Sequence, residues 1–181
     1  MSGTSLLSIL ALDVSKSNLG WAFGLPTDKP VSGVEQLGRE GDTEDEVFRN
    51  GLVWITRQMG ALNPAIVAIE APIKTSGGGF TNAASQSMLL GLQGALRAVV
   101  KAKLPGRAHL IASSTARKTF TGRGTFPSGE AKDAVQRECI ARGFLTAEDM
   151  QADRADAICL WTHMAAQQIE MLKHGKPRKV S

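Results

Sequence analysis

Apolar positions follow two rhythms along this chain. Leu6-Leu7-Ser8-Ile9-Leu10-Ala11-Leu12 is a nearly unbroken apolar run that stops at Asp13, the pattern of a buried strand with an acid at its C-terminal end. After a polar turn, Ser15-Lys16-Ser17-Asn18, the segments Gly20-Trp21-Ala22-Phe23-Gly24 and Val31 to Leu37 read as two more strands, so the first part of the chain is expected to form an antiparallel meander. The period then lengthens. Thr43 with Glu46 three residues on matches a capping box, and Phe48, Leu52, Ile55, Met59 and Leu62 recur at helical spacing up to Asn63-Pro64. Ala65-Ile66-Val67-Ala68-Ile69-Glu70 is a second short apolar run ending in an acid. Beyond Gly77-Gly78-Gly79 a helix is predicted over about 82–103, with Met88, Leu92, Ala95 and Val99 on one face. His109 to Ala112 reads as a fifth strand, Arg117 to Phe126 as an irregular basic segment, and Ser128 to Arg142 as a helix stopped by Gly143. A last helix over about 152–173 has Ala155, Ile158, Thr162, Ala165, Ile169 and Leu172 three or four apart. The order βββαβαβαα predicts an α/β fold, a mixed five-stranded sheet with helices on both faces.

Composition narrows the class. With 181 residues, 43% hydrophobic and 21% charged, the chain is read as one globular domain over 1–181 with a short basic tail from about 173. Disordered, collagen-like and disulfide-scaffold classes are excluded. Cys139 and Cys159 fit no metal spacing and suit a reducing compartment. No stretch approaches the roughly eighteen apolar residues of a membrane span, and Met1 to Asp13 lacks the basic start of a signal peptide. A cytoplasmic protein without a membrane partner is expected.

The placement of charge says more than the net +4. No acid occurs between Glu70 and Glu130, whereas Lys74, Arg97, Lys101, Lys103, Arg107, Arg117, Lys118 and Arg123 all fall there. The acids concentrate instead between Glu35 and Glu46. Such polarity within one domain suggests a basic face for a polyanion, because Lys and Arg opposite phosphates supply most sequence-independent affinity for nucleic acids. A solvated mixed surface is the plainer alternative.

Four acids carry the candidate chemistry. If the strands ending in Asp13 and Glu70 are neighbours, those carboxylates meet, and Asp153 and Asp156 lie three apart on one face of the last helix. Gathered together they would repel one another and require a positive partner. With oxygen ligands only, that partner would be Mg²⁺ or Mn²⁺ rather than zinc, and two such ions would suit phosphodiester hydrolysis. Plainer roles exist: Asp13 could open the following turn, and Asp153 could cap the last helix.

These residues carry a resemblance. Ile9-Leu10-Ala11-Leu12-Asp13 with Gly20-Trp21-Ala22, then Val67-Ala68-Ile69-Glu70, then Gln151-Ala152-Asp153-Arg154-Ala155-Asp156-Ala157 resemble the three acidic blocks of the RuvC family of Holliday-junction resolvases. Arg117 to Gly124 and Lys132-Asp133-Ala134-Val135 resemble that family's basic segment and Lys-x-x-Val helix. The likeness runs from about residue 7 to 168. It implies an RNase H-like fold and a crossover junction endodeoxyribonuclease of DNA recombination and repair. It further implies catalytic Asp13, Glu70, Asp153 and Asp156 holding two Mg²⁺ ions, with Mn²⁺ as a substitute. It places Arg117 and Lys132 near the phosphates of four-way or branched DNA, with Lys118 and Arg123 in the same basic segment, and it implies a homodimer with no small-molecule cofactor. The sequence departs from the family where an aromatic wedge is expected three positions after the strand-end Glu, since Ile73 stands there. Phe80 could replace it or could pack beneath the second helix, and Lys74 falls in the same Gly-rich loop, read as a lid or DNA contact.

A YqgF-like RNA-processing nuclease would share the fold, but the second Asp of Asp153-x-x-Asp156 and the long basic segment speak against it. A non-catalytic nucleic-acid-binding module leaves the four acids unexplained. His163 and His174 are read as surface or helix-flank residues, and Trp54 and Trp161 as helix residues of the core or a subunit contact.

Overall fold

The opening apolar run forms β1, Ile9–Val14, and all of it is buried, as a central strand covered on both faces requires. The structure, a computed structural model, describes residues 5–72 and 83–174. β1 is followed by β2 (Asn18–Gly24), β3 (Val31–Gln36), α1 (Glu44–Ala61), β4 (Ile66–Glu70), α2 (Ala83–Lys103), β5 (Ala108–Ile111), α3 (Ser113–Thr121), α4 (Glu130–Ala141) and α5 (Ala152–His174). The sheet order is β3-β2-β1-β4-β5. β1, β2 and β3 form the expected antiparallel meander, and β4 and β5 join it in parallel.

One element differs from the sequence expectation. The segment expected to be irregular begins with a helix, α3, which ends at Gly122 in the left-handed conformation. Its Ser-Ser-Thr start lacks strong helix formers and its N-cap Ala112 makes no side-chain cap bond, so local signals are weak. Burial of Ala116 and Phe120 against the core supplies what propensity does not. By contrast, Thr43 forms the complete capping box with Glu46 that its sequence announces.

Two cores lie on opposite faces of the sheet. Leu10, Leu12, Val14, Val67 and Ile69 point to α1 and α2, where Trp54, Ile55, Leu92 and Leu96 bury. Ile9, Ala11, Ala22, Ile66 and Ala68 point to α5, backed by α3 and α4. The buried faces of α1 and α2 are turned slightly from those predicted: Val47, Gly51 and Trp54 on α1 and Leu96 and Val100 on α2 go inward, while Phe48, Leu52, Ala95 and Val99 are half-buried. Glycine explains the shift on α1, because a Cβ at Gly51 would lie 2.9 Å from Leu92 Cδ1, so the helices approach there. Trp54 and Trp161 are both core residues.

α5 crosses the sheet and sets the site. Its sheet-facing residues include Ala155, Ala157 and Ala165, and the strands beneath offer Ala11, Ala22 and Ala68, so helix and sheet approach closely. Gln168 secures the C-terminal half through both backbone groups of Leu7, accepting at 2.8 Å and donating at 3.0 Å. Arg154 Nε donates to Ser32 Oγ on β3 at 3.0 Å and holds the other end. His163, contrary to its surface assignment, is buried between α5 and α3, with Nδ1 2.7 Å from Thr119 Oγ1 and Nε2 2.9 Å from Gln167 Nε2. Burial pushes its pKa down, and the neutral ring fits a helix-to-helix link. His174 is exposed, 3.3 Å from Glu170. No helix among the described residues is long and apolar enough to cross a membrane.

Candidate active site

Side chains on a strand alternate between faces, so Ile9, Ala11 and Asp13 share the α5 side of β1, and Ile66, Ala68 and Glu70 share that side of β4. The strands run parallel with Leu12 beside Ile69, which brings Asp13 and Glu70 into step at their C-terminal ends. The condition posed by the sequence is met: β1 and β4 are neighbours, and Glu70 is among the groups that act on Asp13. Asp13 is only 6% exposed, and burial, then Glu70, then Asp156 and Asp153, push its pKa well above the ordinary carboxylate value.

Asp153 and Asp156 arrive from the first turns of α5. Asp153 is the second residue of that helix and so is not its N-cap. The turn after β1 is closed by Ser15 and Asn18, whose backbone and hydroxyl groups bond at 2.9 to 3.2 Å, and Asp13 is not needed to open it. Asp156 has its pKa pushed up to about 6, chiefly by burial, with Glu70 and Asp153 adding to the rise and Arg117 and Lys132 opposing it. The four acids thus form one electrostatic group, with Arg117 and Lys132 beside it.

Gly20 makes this approach possible, and its role was not evident from the sequence. It pairs with Asp13 across β1 and β2, and a Cβ there would fall 1.9 Å from the Asp153 carbonyl oxygen and 2.4 Å from its carbon. The backbone of α5 rests directly on this glycine, so the distance between Asp153 and the sheet is set by a missing side chain. In the sequence Gly20 is visible only as part of the Gly20-Trp21-Ala22 segment that accompanies the first acidic block, with no sign of the helix backbone above it.

Next to the carboxylates is a small cavity lined by Glu70, Ser113, Ala116, Arg117, Asp156, Cys159 and Leu160. Arg117 Nε is buried there with no hydrogen-bond partner among the described residues. A donor left in this state beside a carboxylate cluster is suited to an incoming anion. Cys159 is buried, and its thiol pKa is pushed strongly upward by burial and then by Asp156, so it stays neutral. The ionised donors on offer are all carboxylate oxygens, a set that fits a hard divalent cation such as Mg²⁺ or Mn²⁺. Among the described residues no group of three or more His, Cys, Asp or Glu side chains is positioned to hold a metal ion. The fit rests on the donor type and on the mutual repulsion within a crowded carboxylate cluster, which a cation would offset.

The remaining sequence candidates divide. Lys132 is exposed at the start of α4. Lys118 and Arg123 are also exposed, but neither is among the charges acting on Asp13 or Asp156. Lys74 and both wedge candidates, Ile73 and Phe80, lie outside the described residues.

No protein-family profile and no curated protein matches this sequence. Its fold does have relatives. Thermus thermophilus RuvC in complex with Holliday junction substrate matches with a TM-score of 0.64 at 17% identity, over 91% of this chain and 96% of that one. This chain has the RuvC-like fold. A second T. thermophilus RuvC structure matches with a TM-score of 0.63 at 17% identity, over 91% of this chain and 97% of that one. The yeast mitochondrial Holliday junction resolvase follows at 0.62 and 15% identity, over 92% of this chain and 80% of that one. The RuvC-like architecture thus extends over nearly the whole chain.

Proposed function

We propose that this protein is a metal-dependent endonuclease that binds four-way DNA junctions as a homodimer and cuts two strands symmetrically. The observation that carries the reading is the convergence of Asp13 and Glu70, at the ends of β1 and β4, with Asp153 and Asp156 from the start of α5, and with Arg117 and Lys132 acting on the same cluster. The RuvC matches add support, since one of them is a complex with Holliday junction substrate.

In this reading the four carboxylates hold two Mg²⁺ ions, with Mn²⁺ able to substitute. Two bound ions would activate a water and stabilise the leaving oxygen in an in-line displacement at phosphorus. The protein's own part is positional. β1 and β4 fix Asp13 and Glu70 side by side, while α5, seated on Gly20, delivers Asp153 and Asp156. Arg117, with its buried unpaired Nε, and Lys132 would hold the scissile phosphate from the α3 and α4 side. Lys118 and Arg123 would extend this contact along the backbone. One such site cuts one strand, so paired cuts call for two copies. Leu90 on α2 and Val53 on α1, 46% and 62% exposed, offer apolar surface for that contact on helices that pack together.

The experiment is a competition in Ca²⁺, which occupies carboxylate sites with little turnover, between labelled four-way junction and linear duplex of the same sequence. Preferential retention of the junction is expected, and equal competition by the duplex would overturn the junction assignment. In the same assay Arg117→Ala and Lys132→Ala are each expected to lower the slope of log affinity against log salt by about one unit. An unchanged slope would remove those side chains from the phosphate path.

A further inference from the structure

We propose that Arg123 and Phe126 form a stacking shelf for an unpaired nucleobase beside the carboxylate site. The inference deepens the nucleic-acid reading above and adds a base contact to what is otherwise a phosphate-binding surface. Phe126 is half-buried, yet it is not among the side chains packed on either core. Its ring is covered on one side by the exposed Arg123 guanidinium, whose Cζ lies 5.2 Å from the ring centroid. A second arginine over a phenylalanine shows the contrast. Arg142, 4.6 Å above Phe120, is held by Glu138 at 2.7 Å and by the Phe120 carbonyl at 2.6 Å, and Phe120 is a core residue. The Arg123 guanidinium has no such carboxylate or carbonyl partner among the described residues, so the pair is not explained by packing or by an ion pair.

The loop that carries the shelf has a defined path. It leaves α3 through Gly122 and enters α4 through Gly129, at φ of 81° and 85°, in the left-handed region that favours glycine. Arg123 N–H donates to Thr121 Oγ1 at 3.3 Å. The loop then turns back along α3, where a Cβ on Gly124 would lie 2.9 Å from the Ser114 carbonyl oxygen. Ser114 adjoins Ser113, which lines the cavity with Glu70, Arg117 and Asp156. The shelf is therefore bracketed in the chain by Arg117 and Lys132, both of which act on Asp156. A strand whose phosphate lies at Arg117 would bring a neighbouring base to an aromatic face and a planar cation, and both stack on bases without regard to sequence.

The test compares binding of a short oligothymidylate and an abasic strand of equal length by wild type, Phe126→Trp and Phe126→Leu. Leucine keeps the apolar bulk and loses the aromatic face. Wild type and Phe126→Trp are expected to prefer the base-containing strand by about ten-fold, and Phe126→Leu to bind the two strands equally with its abasic affinity unchanged. The same base-to-abasic ratio in wild type and Phe126→Leu, a wild-type ratio near one, or a lowered unfolding temperature in Phe126→Leu would overturn the shelf. Because this ratio needs no junction, it can hold while the junction competition fails, or fail while that competition succeeds.

Discussion

At pH 7.5 in EDTA, Asp13→Asn is expected to unfold at a higher temperature than the wild type while cutting no DNA. Asp13 is buried beside Glu70, Asp156 and Asp153, and its pKa is raised by burial and by those neighbours. The folded protein holds its proton more tightly than the unfolded chain does, so this contribution to stability is present at low pH and is lost as pH rises through the folded value. Asp156 behaves in the same way between its ordinary 3.8 and about 6. An amide at position 13 carries no charge and so escapes both the burial cost and the repulsion of the neighbouring carboxylates. The gain is expected to be on the order of 1–3 kcal/mol, the scale of a buried polar group left uncompensated. It should shrink as pH is lowered to 4.5, toward protonation of the wild-type carboxyl. Mg²⁺ should reverse the ranking. At a hundred times its dissociation constant, Mg²⁺ is expected to raise the wild-type midpoint at pH 7.5 by about 5–10 °C. It should do far less for Asp13→Asn and little for either protein at pH 4.5. Thermal unfolding of the two proteins at both pH values, with EDTA and with Mg²⁺, reads all of this. A wild type indifferent to Mg²⁺ at pH 7.5 would remove the cation from the site.

Gly20→Ala should be nearly as damaging as loss of an acid, although the added group is a methyl. Its Cβ would lie 1.9 Å from the Asp153 carbonyl oxygen, and backbone cannot swing aside as a flexible side chain does. The N-terminus of α5 must therefore lift from β2 and take Asp153 and Asp156 with it. Overpacking of this kind costs about 1–3 kcal/mol, a loss of about 2–12 °C in midpoint for a chain of this size. Displacement by about 1 Å at a reacting centre lowers turnover by about a hundred-fold. Gly24→Ala is the control: it lies on the same strand under the same helix, but its Cβ would meet Pro30 Cα at 3.3 Å and the Trp161 ring at 3.6 Å. Gly24→Ala should keep the Mg²⁺-dependent rise in midpoint, and Gly20→Ala should lose it. Equal Mg²⁺ responses in the two variants would show that α5 does not set the metal geometry.

The sequence revealed the acids more readily than the surroundings that make them a site. Two apolar runs ending in Asp13 and Glu70 are visible because a buried strand that closes on a charge is uncommon, and Thr43 with Glu46 marks a helix start by local chemistry alone. Adjacency of β1 and β4 was a condition, since pairing joins segments more than fifty residues apart and leaves no local trace. α3 was hidden because Ser113, Ser114 and Thr115 are weak helix formers and its stability comes from Phe120 and Ala116 in the core. His163 looked peripheral because Thr119, its partner on α3, reaches it only when α3 packs on α5, while Gln167 lies one turn along the same helix. Gly20 was invisible as a site residue because its contribution is the absence of a side chain, meaningful only with the Asp153 backbone above it.

The most direct measurement is cleavage of a four-way junction, end-labelled on each strand in turn, by wild type and Glu70→Gln across a Mg²⁺ titration. The expected result is Mg²⁺-dependent cutting of two opposed strands at matching positions by wild type, none by Glu70→Gln, and junction binding by the two proteins within a few-fold. Turnover by Glu70→Gln near the wild-type level, or wild-type cutting that persists in EDTA, would contradict the account.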